Sequence, residues 1–202
     1  MLYYNSGLIG LPVREARSGD TVALVEGLII DPRSFTLAAF QVNTGEREPS
    51  YLVADSVAEI TLRHGIFFTD TDAVSKLSEL PRLQEVLNLG FNLLKLPVRT
   101  SGDEKLTSQK LGSVADFVVD SLSFAVFQVI VKRGIFGSFL PELAIGRGQI
   151  IELTNHELIV EDAYAKSPEP ITPQKPAKPI KPQPVAKPQT APEPAPADTA
   201  SE

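Results

Sequence analysis

The chain has no cysteine, no tryptophan, a single methionine and only two histidines in 202 residues. Without cysteine there are no disulfides, no thiolate metal sites and no cysteine nucleophile, whatever the redox compartment. No apolar run is built to cross a membrane as a helix: the longest stretch, Ala115 to Val131, is broken by Asp116, Asp120 and Gln128 and is too short. The start, Met1-Leu2-Tyr3-Tyr4-Asn5-Ser6, lacks the basic residues that open a secretory signal. A soluble cytoplasmic protein with no integral membrane segment is expected. Net positive charge is absent too. The formal charge is −6, divided as −5 over residues 1–72, zero over 73–92, −2 over 93–165 and +1 over 166–202. An acidic body argues against a general polyanion-binding surface.

From Lys166 to Glu202 there is no aromatic residue, few branched apolar side chains, and 11 of the 17 prolines. Such a segment cannot bury enough apolar surface to offset its ordering entropy, so it reads as a disordered tail rich in Lys, Pro and Ala. Its Lys-Pro dipeptides at 175, 178, 181 and 187 favour polyproline II, which serves as a stiff spacer or docks in grooves. Lys175, Lys178, Lys181 and Lys187 are candidate contacts for RNA or an anionic surface, with a spacer as the plainer reading.

What the chain does have is a repeat. Leu11-Pro12-Val13-Arg14 returns as Leu96-Pro97-Val98-Arg99, and the run ending Asp31-Pro32-Arg33-Ser34-Phe35 with Phe40-Gln41-Val42 returns as Asp120-Ser121-Leu122-Ser123-Phe124 with Phe127-Gln128-Val129. The offsets of 85, 89 and 87 indicate two copies of one small domain with short insertions at turns. Four parts follow: a first β domain over 1–72, a helical linker over 73–92, a second β domain over 93–165, and the tail. A unit of roughly 70 residues buries only about 60% of its unfolded surface and is marginal alone, so the copies are expected to pack on each other or on a partner, self-association included.

In each copy two β-rich runs flank an Asp-containing turn, 22–30 with 36–42 and 113–119 with 124–131, so each contains a hairpin. Asp31 and Asp120 are read as turn residues. Five or so short strands per copy, with turns every 8 to 12 residues, indicate a small antiparallel barrel. Between the copies Val74, Leu77, Leu80, Leu83 and Val86 recur at helical spacing. Pro81 divides them into a helix near 73–80 and another near 81–89.

These elements, with Val53-Ala54-Asp55-Ser56-Val57-Ala58-Glu59-Ile60 after the first hairpin, resemble the PRC-barrel domain, the module found in the photosynthetic reaction-centre H subunit and in the ribosome maturation factor RimM. The likeness covers both copies, and copy two keeps Glu152 opposite Glu59 but has no counterpart of Asp55. It implies two PRC-type barrels in tandem acting as a non-enzymatic, protein-binding adaptor or scaffold, with no catalytic residue and no cofactor. The alternative it implies is a ribosome-assembly accessory factor that contacts a ribosomal protein or RNA.

No other motif points to chemistry. His64 and His156 occupy matching positions and read as turn residues, since no Ser-His-Asp order stands near either. No carboxylate run has the ligand spacing of a calcium loop. The candidate partner-binding surface is the second hairpin's loop, Lys132, Arg133, Phe136 and Phe139, with Arg147 nearby. It replaces the polar 43–49 of the first copy with basic and aromatic residues. In an equally weighted alternative, Phe136 and Phe139 fill the contact between the copies.

Overall fold

Alternating apolar residues and Asp-headed turns build the same ladder twice. The computed structural model describes residues 1–70, 72–102, 109–132 and 142–161. They form fourteen strands in two seven-stranded sheets. The chain begins with β1 (Leu2–Tyr4) and a one-turn helix α1 (Asn5–Leu8). The first sheet holds β2 (Pro12–Glu15), β3 (Thr21–Asp31), β4 (Thr36–Asn43), β5 (Ser50–Val53), β6 (Val57–Thr61), β7 (Gly65–Phe68) and β8 (Val74–Lys76), in the order β6-β7-β2-β3-β4-β5-β8. The second holds β9 (Pro97–Thr100), β10 (Lys110–Asp120), β11 (Val126–Lys132), β12 (Leu143–Gly146), β13 (Ile150–Leu153) and β14 (Leu158–Val160). Its order, β13-β14-β9-β10-β11-β12, matches the first, with no counterpart of β8 among the described residues.

The correspondence extends to irregularities. Both hairpins carry two bulges at the same places, between Val25 and Gly27 and between Ile29 and Ile30 in the first, and 89 residues later in the second. A single 3-10 turn, Ala54–Ser56 or Arg147–Gln149, joins β5 to β6 and β12 to β13. Both copies pair their first and last core strands in parallel, Val13 with Ile66 and Val98 with Leu158.

The structure corrects one point of the repeat. Throughout the hairpin the offset is 89, so fully buried Phe40 corresponds to Val129, since Phe40 pairs with Leu28 and Val129 with Phe117. Phe127 instead matches Ala38, the extra residue of the second bulge, and a bulged residue leaves the ladder. Its ring is accordingly 38% exposed.

Glycine is required at Gly65 and Gly112. Their φ values are +110° and +146°, and a Cβ there would lie 2.1 Å from the Pro12 and Lys132 carbonyl oxygens respectively. Close backbone approach of this kind admits no side chain.

The linker departs from expectation in its first half. Val74–Lys76 form β8, pairing with Ser50–Leu52 of β5, and Leu77–Glu79 make one 3-10 turn. An available strand edge outweighs three residues of helical spacing, since isolated short helices are unstable. The second half is helix α2 (Pro81–Asn88), with Pro81 in its first turn and Gly90 closing it at φ +63° through an N–H bond to Leu87 O. Leu83 and Leu87 pack it on Ala39 and Tyr51.

The two copies share one core. A contiguous cluster of buried side chains runs from Val13, Val25, Phe40 and Ile66 to Val98, Phe117, Val129 and Ile145. At its centre the turns meet about an approximate twofold axis: Leu37 N–H donates to Phe124 O at 2.8 Å, and Val126 N–H donates to Phe35 O at 3.0 Å. The 89-residue offset exchanges the two bonds, Leu37 for Val126 and Phe35 for Phe124, and Thr36 bridges Ala125 between them. Phe35 and Phe124 hold left-handed backbone, φ +56° and +54°, to present these carbonyls. β1 reinforces the seam. It pairs with β10 of the second sheet, while Tyr3 Oη donates to Ile60 O of the first at 2.8 Å.

Candidate functional site

The candidate site is a groove. It lies on the first repeat, between the β3–β4 turn, the Ala54–Ser56 turn and helix α2, and encloses about 630 Å³. Its walls are apolar, from Leu37, Val53, Leu80, Pro81, Leu83 and Val86, and its charges are Asp31, Arg33, Asp55, Glu79, Arg82 and Glu85. Three chain segments supply them, which is why no local motif announces the groove.

The charges are not equivalent. Arg33 folds back on Asp31, donating from Nε to Oδ1 at 3.0 Å and from an Nη to Oδ2 at 2.9 Å. The Arg33 backbone N–H also reaches Asp31 Oδ1 at 3.0 Å. The hydrogen bonds and charge of Arg33 hold the Asp31 carboxyl below its ordinary range against the opposing effect of burial. Glu79 accepts the Lys76 backbone N–H at 3.2 Å. The side chains of Asp55, Arg82 and Glu85 make no hydrogen bond or ion pair among the described residues, although the Glu85 charge acts on Arg33 across the groove. Four carboxylates face two guanidinium groups, so the lining is net acidic by two charges.

The second repeat does not keep two of these charges. By the hairpin offset Arg33 corresponds to Leu122, which is 85% exposed, and by the 3-10 turns Asp55 corresponds to Gly148. Asp120 remains as a turn residue. Burial opposes its charged form, but bonds from Ser123 and the N-terminal ammonium at 3.3 Å outweigh that and lower its pKa.

Of the loop singled out from sequence, only the start lies among the described residues. Lys132 ends β11 opposite Ser113, with its side chain exposed. Arg133, Phe136 and Phe139 lie outside the described residues, as do Lys175, Lys178, Lys181 and Lys187. Arg147 is at the seam instead of beside Lys132. It donates to Ser34 O at 2.9 Å, with its guanidinium 5.9 Å from the Phe35 ring centroid. The sequence signal for that role was slender, a shared Phe one residue after each Asp-x-x-Ser turn.

The histidines sit in matching turns. His64 N–H donates to Thr61 Oγ1 and His156 N–H to Thr154 Oγ1, each at 3.2 Å. Among the described residues no group of three or more His, Asp or Glu is placed to hold a metal ion, and no helix is long and apolar enough to cross a membrane. No protein-family model matches the chain, and no curated protein is significantly similar to it.

Proposed function

We propose that the chain is a non-enzymatic adaptor built from two PRC-type barrels, and that it docks a protein partner in the groove of its first repeat. The observation that carries this reading is the asymmetry of the duplicate. The scaffold is repeated down to its bulges, yet among the described residues only the first copy is followed by a helix such as α2, and its groove carries Asp55 and Arg82 with no side-chain hydrogen bond or ion pair and Glu85 near Arg33. Apolar walls rimmed by charge suit a peptide segment, with the walls supplying affinity and the rim supplying register and specificity. The shared core and the reciprocal bonds of the seam keep the groove's platform rigid.

The test is affinity capture on the immobilised full-length chain, with Asp55→Lys combined with Glu85→Lys as the groove variant and Leu122→Lys as the control. The reading expects a partner retained by the wild-type and control chains and lost by the groove variant. Equal retention by all three places the partner elsewhere. Co-sedimentation with small ribosomal subunits that survives the groove variant would favour ribosome assembly instead.

A further inference from the structure

Taking the groove as a docking site, we infer that its resident occupant is the Lys-Pro segment of this chain's own tail, residues 175–187, laid in as a polyproline II strand that a partner must displace.

The segment is two-faced in that conformation alone. Lys175, Lys178 and Lys181 stand in steps of three with Lys187 six further on, Pro184 taking the intervening place, and Pro176, Pro179, Pro182 and Pro188 follow one residue behind. Polyproline II has three residues per turn and rises about 3.1 Å per residue, so the lysines form one edge at intervals of about 9 Å and the prolines another. A helix or strand would scatter both sets. The groove offers the complementary halves: Leu80, Pro81, Leu83 and Val86 for pyrrolidine rings, and Asp55 and Glu85 for ammonium groups.

Charge places the segment on the first repeat. Residues 175–187 carry four lysines and no acid, whereas residues 1–72 hold −5 of the chain's −6 and the second repeat only −2. Reach permits it. Lys175 lies fourteen residues beyond Glu161, the last described, a separation that in polyproline II spans about 43 Å. A folded body of this size has a radius of gyration of about 15 Å, hence a diameter of about 40 Å and a half-circumference of about 63 Å, so the tether covers about two thirds of the way from Glu161 to the opposite pole. Binding a pre-extended segment orders few new torsions, and tethering raises its effective concentration to the millimolar range.

The experiment uses the full-length chain, isotope-labelled for amide NMR. Lys175, Lys178, Lys181 and Lys187 are all changed to Gln in one variant, and Asp55→Asn is combined with Glu85→Gln in another. Both variants should shift the same set of amides, Thr36 to Ala38, Asp55 and Arg82 to Val86, while the rest of the spectrum stays in place. Raising the salt from about 0.05 M to 0.5 M should move the wild-type amides the same way, because exposed charges are screened. A synthetic peptide of residues 172–190 added to the Gln variant should restore the wild-type positions, with affinity falling about three- to tenfold when Asp55 and Glu85 are neutralised. Groove amides indifferent to the Lys→Gln change overturn the inference. Shifts that appear only at high protein concentration overturn it in favour of a second copy's tail. If the tail leaves the groove untouched while the groove variant still loses the captured partner, the occupant alone is refuted. If the groove variant alters neither, the docking reading falls as well.

Discussion

Truncating Phe35 to Ala tests whether the two repeats are one folding unit. Phe35 lies in the first repeat at 7% exposure, its carbonyl accepts the Val126 N–H of the second, and its ring lies under Arg147. Removing a buried phenyl costs about 2–3 kcal/mol of transfer free energy, and the cavity left behind brings typical losses to about 3–5 kcal/mol. The exposed Arg147 guanidinium adds about 0.5–1 kcal/mol for its contact with the ring. Left-handed backbone penalises Ala as it penalises Phe, so strain changes little. The expected loss is therefore about 3.5–6 kcal/mol, a fall of about 7–24 °C in melting temperature for a chain of this size. Calorimetry and urea unfolding followed by circular dichroism measure it, tryptophan fluorescence being absent. Because the ring belongs to the shared core, the transition should stay single as it shifts. A loss below about 1 kcal/mol, or a split in which one half melts early and the other at the wild-type temperature, would refute the reasoning.

Gly112→Ala would put a Cβ 2.1 Å from the Lys132 carbonyl oxygen, and a loss of more than about 2 kcal/mol in the same unfolding assay is expected. Tyr3→Phe leaves the buried Ile60 carbonyl without its donor, so a loss of about 1–2 kcal/mol should appear in urea unfolding. The depressed carboxyls of Asp31 and Asp120 set the acid response. A group whose folded pKa is lowered contributes stability above its unfolded value near pH 4, and that stability is lost as pH falls through the folded value. Melting temperatures from pH 6 to pH 2 should thus fall less steeply for Asp31→Asn than for the wild type.

What the sequence could reveal was what it repeats locally. The hairpins were readable because β3 and β4, like β10 and β11, pair period-two apolar residues across an Asp-headed turn, and α2 was readable from Pro81 and Gly90. Elements that depend on a distant partner were not. β8 is three residues that become a strand because β5 offers an edge, and β1 pairs with Val118–Asp120 more than a hundred residues away. The left-handed phenylalanines follow the same rule, since their conformation serves a bond to the other repeat. Arg147 reads as free charge in sequence, and the ring that occupies it is contributed by the first copy. The groove is the clearest case, because Asp31, Asp55 and Glu85 become neighbours through a hairpin turn, a 3-10 turn and a helix packed together.

The central claim is that the first repeat's groove is a binding site, and its most direct measurement is the dissociation constant of the partner, once captured, for the wild-type chain against the Asp55→Lys, Glu85→Lys chain. The account predicts at least a tenfold weakening with an unchanged melting temperature, and equal affinity for the two folded chains would contradict it.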